Sequence, residues 1–544
     1  MQRTQPSCLL FLSERKAHDS SGSGPARSSP RCGCDSGAVC CCLGDIVGRI
    51  LLPHLLKRKG AAVPTLSLRA ILAALAALAL SAPAAVLAAP PAAAGHSCHL
   101  PGAEEALRCL RLEVPLDHAQ AAGPRLRLHV TIAPALREAA LRDPLFILAG
   151  GPGEAGSEVL PMLASTFRKV RATRDVVLID QRGTGLSGKL ECKSGPEDDN
   201  LGDDAALASA RACLQRLAAP YARYGTDAAA QDIEAVRRAL GYAQINLWGG
   251  SYGTRLAQHY ARRYPAQVRS LILDGVAAPE QIIPAGGRDA QAALDTLFRQ
   301  CAADAGCAKA FPTLASQFAS LRAHLAQAPL QLELPDPRTA ELRAVEISSS
   351  RFLSTVHNIL YSQQDSRRLP FLIDSAARGR WQPFLARSNV ARDFASDAGP
   401  ALGLHLAVVC AEDYPRLTPA VLAEDTRASF LGPAQIARAG QLCPLLQVPA
   451  AAPAAPTPIA APVLMLSGAL DPVTPPRRAE AAGRHMQRAQ HLIVQNGGHI
   501  VSPLGCVPRL LREFLDQPGQ PLHAACLSEI PAPTFQLNSA GPQP

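Results

Sequence analysis

Short apolar runs recur along the chain at 126–133, 144–149, 175–180, 244–248, 270–274, 463–467 and 491–495, most of them stopped by Gly, Pro or Asn. Runs of that length with such stops predict strands, and near-continuous apolar character predicts strands covered on both faces. Between several of them lie stretches with helical spacing, at 204–217, 228–239 and from Thr254 to Tyr264, where Pro265 ends the pattern. Strands alternating with helices imply a largely parallel sheet. The alternation breaks after Leu271-Ile272-Leu273-Asp274-Gly275, and from about 280 to 450 the pattern is mostly helical. A Pro/Ala-rich linker, Val448 to Pro462, then leads back to strand-like runs. The expected fold is α/β, a mostly parallel sheet with helices on both faces and a large, mainly helical cap at 280–450. The cap divides the core into 98–279 and 451–530 and precedes a tail at 531–544.

The strand-like Ile245-Asn246-Leu247-Trp248 runs straight into Gly249-Gly250-Ser251-Tyr252-Gly253. This is G-x-S-x-G between a strand and a helix, a turn so tight that small residues must flank the serine. It holds the hydroxyl above the sheet, near the positive end of the following helix. Ser251 is the candidate nucleophile. A serine hydroxyl is inert at neutral pH without a base, so a histidine and an orienting acid must follow. In hydrolases built on such a turn the order is Ser, Asp or Glu, then His. Asp471 follows the run Val463–Ser467, and His499 follows His491–Val494, so both stand just past strand ends. An open α/β sheet gathers its reactive groups there. A turn-capping role for Asp471, before Pro472, is the plain alternative.

Upstream, Phe146-Ile147-Leu148-Ala149 feeds Gly150-Gly151-Pro152-Gly153. Acyl transfer needs two N–H donors aimed at the developing oxyanion, and a glycine loop leaves amides unobstructed. The backbone amides of Gly151 and Tyr252 are the expected donors. A phosphate-cradling loop is disfavoured, because neither a Lys-Ser/Thr ending nor dinucleotide-type spacing is present.

These motifs together resemble the α/β-hydrolase superfamily and, more narrowly, its serine aminopeptidases, the proline iminopeptidases and secreted tripeptidyl aminopeptidases. Val114-Pro115-Leu116-Asp117-His118 resembles the motif expected ahead of the first strands. Gly150-Gly151-Pro152-Gly153 is similar to the family's His-Gly-Gly-Pro-Gly loop, with Ala149 where many members have His. Asp180-Gln181-Arg182-Gly183-Thr184-Gly185-Leu186-Ser187 matches the family's post-strand turn, which we read as structural rather than catalytic. The resemblance implies an amine anchor at Cys410-Ala411-Glu412-Asp413, with Glu412 ahead of Asp413 as the substrate-binding acid. A carboxylate in a partly desolvated pocket suits a free α-ammonium through a charge-assisted bond. A helix-end or surface acid is the alternative there.

Composition changes the picture in two places. The formal net charge of +9 is modest for 544 residues, and no basic stripe with interleaved aromatics appears, so nucleic acid is not an expected partner. Lys57-Arg58-Lys59 and Arg69 precede an Ala/Leu-rich stretch, 70–80, followed by small residues, which reads as a secretory signal over 57–94. The expected protein is exported, secreted or periplasmic, with no stable membrane insertion once the signal is removed. Residues 1–56 then read as a disordered extension or as the product of a start site placed too far upstream, and their Cys32, Cys34 and Cys40–Cys42 lack zinc-site spacing. Ten cysteines follow the signal, and an even number in an exported chain suggests disulfides. Short loops paired in chain order are expected, 301–307 and 506–526 foremost.

No metal or other cofactor is implied, since no H-E-x-x-H motif occurs. The expected function is an exported serine aminopeptidase that releases one residue or a short peptide from substrates with a free N-terminus. Two rivals remain: an esterase or lipase with the same three residues, and an inactive binding protein on the same scaffold.

Overall fold

The apolar runs assemble into one nine-stranded sheet: β1 (His96–Cys98), β2 (Leu107–Pro115), β3 (Arg125–Ala133), β4 (Leu141–Leu148), β5 (Arg174–Ile179), β6 (Ile245–Gly250), β7 (Val268–Asp274), β10 (Val463–Gly468) and β11 (Ala489–Val494), with β8 and β9 forming a separate hairpin. The computed structural model describes residues 95–542 except 138–139, 193–201, 336–338, 394–398, 428 and 453–456. The expected upstream extension and signal segment lie outside the described residues.

The spatial order is β1-β2-β3-β5-β4-β6-β7-β10-β11. β1, β2 and β3 pair antiparallel, as do β3 and β5, and every pairing from β5 across to β11 is parallel. Successive residues of a strand face opposite sides. Phe146 and Leu148 accordingly enter one core with Leu247, Leu256 and Tyr260, while Leu145 and Ile147 enter the other with Phe167, Trp248 and Phe514. Both faces are covered, which is why the central strands read as continuous apolar runs.

This strand order positions the site. The chain leaves β4 in one direction to reach β5, whereas β6 lies on the other side of β4 and leads away to β7. The two connections diverge and open a crevice at the carboxyl ends of β4 and β6, the place where open α/β sheets bind ligands. The loop 149–154 leaves β4 there, and Ser251 leaves β6 there.

Between β7 and β10 the chain builds the cap, with helices that include Gly287–Ala303, Leu314–Gln327, Ser349–Leu360 and Ala434–Leu446. The cap has its own core, in which Phe352 stacks on Phe384 with centroids 5.2 Å apart and Phe318 meets Phe430 edge-on at 5.9 Å. It is not purely helical. Leu330–Pro335 (β8) and Leu342–Ile347 (β9) form an antiparallel hairpin, and β8 alternates buried-facing leucines with Gln and Glu. Two further strands, β1 and β2, were absent from the sequence expectation, because arginines interrupt the apolar pattern of β2. Val114-Pro115 therefore ends the second strand rather than preceding the first. Arg182, fully buried, ties that segment down by donating to Leu116 O at 2.9 Å and pairing with Asp232 at 2.7 Å.

All ten cysteines pair in chain order: 98–109, 192–213, 301–307, 410–443 and 506–526. Five bridges suit an oxidising compartment. No helix among the described residues is long and apolar enough to cross a membrane.

Candidate active site

β6 ends at Gly250 and the helix Tyr252–Arg263 begins two residues later, so Ser251 alone makes the turn. It does so at φ +54° and ψ −123°, a conformation that L-residues avoid and that costs on the order of 1–3 kcal/mol. The turn is possible because the helix start runs against β4. A Cβ on Gly253 would lie 2.0 Å from Leu148 O, so any side chain there would force the helix off the sheet. The turn is held by Ser251 N–H donating to Asp274 O at 2.9 Å and by Thr254 N–H and Oγ1–H donating to Ser251 O at 2.9 and 2.6 Å.

Facing the turn is the loop after β4. Gly151 adopts φ +99°, a conformation that favours glycine. Neither the Gly151 nor the Tyr252 amide donates to another group among the described residues. The cap holds this loop from the far side: Ala401 N–H donates to Gly153 O at 2.9 Å, and His405 Nδ1 stands 3.1 Å from Pro152 O.

Asp471 and His499 are brought together by the parallel pairing of β10 with β11. Asp471 is buried and its carboxylate is fully engaged. Oδ1 accepts the Val473 and Thr474 amides at 2.8 Å each, and Oδ2 accepts Thr474 Oγ1–H and His499 Nδ1–H at 2.8 Å each. Burial alone would raise its pKa, but the His499 charge, the His499 bond and the two amides outweigh burial and hold it below the usual carboxylate value. For His499, burial pushes the pKa down, and the Asp471 charge and bond, with Asp274 and Glu154 beyond, push it up further, leaving it raised. Because Asp471 accepts at Nδ1, the free Nε2 is the basic nitrogen.

Two further contacts fix the imidazole. His499 N–H donates to Tyr361 O at 2.8 Å, and the ring meets the Tyr361 ring edge-on at 5.1 Å, so the cap supports it. The other support is Asp274, whose buried carboxylate accepts Val501 N–H at 3.0 and 3.1 Å and Ser502 N–H at 2.7 Å. No hydrogen bond joins the ring to Ser251 Oγ in this structure; such bonds often close only when substrate binds.

The two expected amine-anchoring acids part company. Asp413 is fully buried and committed to structure, accepting Arg255 Nη1 at 2.9 and 3.1 Å and Arg416 Nη2 at 2.8 Å. With no free face, it is corrected from a substrate-binding acid to an internal counter-ion. Glu412 is partly exposed. It lies on the π-helical turn Val409–Asp413 and accepts Thr226 N–H at 2.8 Å and Thr226 Oγ1–H at 2.7 Å, while Thr226 Oγ1 also meets the Tyr252 hydroxyl at 2.8 Å. Burial raises its pKa, against the two Thr226 bonds and Arg255.

Sequence reasoning missed Asp274, Thr474, Tyr361 and Glu154. Asp274 ends an apolar run at Gly275, and Thr474 sits three residues past Asp471, so both had a local signal. Glu154 directly follows the glycine loop, and Tyr361 had no signal at all. An open hollow of about 580 Å³ lies elsewhere, lined by Gln363, Leu504, Cys506, Cys526 and Pro531. It includes none of Ser251, Asp471 or His499, so side-chain geometry, not cavity size, marks the site.

Comparison with known proteins adds two findings. The α/β hydrolase fold family matches residues 143–505. Among curated proteins, serine protease Hip1 of Mycobacterium tuberculosis is 31% identical over 221 residues, which cover 37% of this chain and 42% of that protein. Tripeptidyl aminopeptidase of Streptomyces coelicolor is 28% identical over 194 residues, 32% of this chain and 36% of its own length. Proline iminopeptidase of Neisseria gonorrhoeae is 31% identical over 133 residues, 24% of this chain and 32% of its own. The match spans less than half the length of each of these relatives.

Proposed function

The chain belongs to the α/β-hydrolase fold family, and from that premise we propose that it is an exported serine aminopeptidase acting through Ser251, Asp471 and His499. The observation that carries the reading is the Asp471–His499 bond of 2.8 Å, beside a serine held at φ +54°. In this mechanism His499 Nε2 takes the proton as Ser251 Oγ attacks the scissile peptide carbonyl, releasing one residue or a short peptide. The Gly151 and Tyr252 amides receive the oxyanion, and Asp471 stabilises the imidazolium. The imidazolium then gives its proton to the departing amine. Water, activated by the same imidazole, releases the acyl group and regenerates Ser251.

Peptidase action is supported by the three relatives, each named as a peptidase or protease. Recognition of a free N-terminus needs a carboxylate, and we assign that role to Glu412, partly exposed and linked through Thr226 to Tyr252. Export is supported by the five bridges. The deciding experiment presents the mature protein with peptides bearing free or acetylated N-termini and with short acyl esters. Cleavage confined to free N-termini upholds the reading. Ester hydrolysis without peptide cleavage replaces it with an esterase.

A further inference from the structure

Glu154 follows the glycine loop, and nothing in the mechanism above uses it. Its Oε2 accepts Gly150 N–H at 3.1 Å while its own N–H donates to Gly150 O at 3.3 Å, so the side chain folds back over the loop. A Cβ on Gly150 would stand 3.0 Å from Glu154 Oε2 and 3.1 Å from Ser251 Cβ, which puts the carboxylate no more than about 6 Å from the Cβ of Ser251. It keeps some exposure and forms no ion pair among the described residues. Burial raises its pKa, against the Gly150 amide and the charge of His499.

An anion at this place favours the His499 imidazolium but opposes the oxyanion. The tetrahedral intermediate develops its own negative charge a few ångströms away, in surroundings that strengthen repulsion. Beyond its support of the imidazolium, an acid here helps when the substrate brings a cation. The α-ammonium of a free N-terminal residue is such a cation, about 2.5 Å from that residue's carbonyl carbon. An extended tripeptide holds its ammonium roughly 9 Å from the carbonyl to be cleaved, against about 2.5 Å for a single residue.

We propose that Glu154 is a specificity-determining carboxylate that pairs with the α-ammonium of the residue being released, so that single residues are removed from free N-termini. The inference rests on the aminopeptidase reading. An ammonium has three N–H donors, so Glu412 can share it. Glu154 differs in acting twice, attracting free amines and repelling the oxyanion of blocked substrates.

The test is Glu154→Gln in the mature protein, assayed on one aminoacyl anilide with a free amine and on its N-acetyl counterpart. Gln retains an oxygen for Gly150 N–H, so the loop keeps its bond. The kcat/KM for the free amine should fall about 30-fold or more, as for a broken buried charge pair, while that for the acetylated compound should rise. Glu154→Asp, which keeps the charge, should keep the preference. A merely structural role would lower both substrates together, and that result overturns the proposal, as does an unchanged preference. Tripeptides as the wild-type product would also overturn it. A wild-type protein that shows no preference for free amines would instead defeat the aminopeptidase reading itself.

Discussion

Ser251 and Asp274 are bonded through the backbone, Ser251 N–H to Asp274 O at 2.9 Å, while the Asp274 carboxylate holds the Val501 and Ser502 amides just past His499. One buried residue at the end of β7 thus fixes the nucleophile's turn from one side and the base's loop from the other. The ring of His499 comes so close that a Cβ on Gly275 would lie 3.0 Å from its Cε1.

Asp274→Asn should therefore damage catalysis as well as stability. Its NH₂ would face amide donors that now have an anionic acceptor, and hydrogen bonds to charged groups are worth about 1.5–3 kcal/mol each. Denaturant unfolding should show a loss of that order, and kcat should fall more than KM rises. Unchanged kcat in a folded variant would mean that the His499 loop is held by other contacts.

The raised pKa of His499 fixes the direction of the pH profile. Activity needs the neutral imidazole, so kcat/KM should climb with pH through a midpoint above the ordinary value of about 6.5. Asp471→Asn removes the charge that raises it, so the midpoint should drop while the rate falls by about 10⁴. A midpoint that stayed in place would separate Asp471 from the imidazole.

Glu412→Gln should impair free-amine substrates by roughly 2–5 kcal/mol of transition-state binding. Acetylated or ester substrates should be nearly unaffected, and without the gain expected for Glu154→Gln. Equal loss on both classes would make Glu412 a brace for Thr226 and Tyr252, measured by kcat/KM on matched substrates.

The parallel strands and the three candidate catalytic positions were legible because each rests on a local pattern: a doubly buried strand is an apolar run, and each reactive residue sits at its end. β2 was not legible, since its outward arginines break the pattern. The β8–β9 hairpin carried a readable alternation of Leu with Gln and Glu, but the helical pattern around it dominated. Asp413 illustrates the deeper limit. Its neighbours Arg255 and Arg416 come from a distant helix and from the next turn, and no spacing along the chain foretells that the three meet in a buried cluster. Tyr361 likewise reaches His499 only because the cap folds back over the sheet.

Turnover of a free N-terminal peptide by Ser251→Ala tests the central claim most directly. With the turn, the Asp471–His499 bond and the amides left in place, kcat should fall by about 10⁶, the loss seen on removing the nucleophile of a serine protease. A correctly folded variant that kept more than about a tenth of the wild-type rate would contradict the account, because a change that small is barely 1.4 kcal/mol in the barrier.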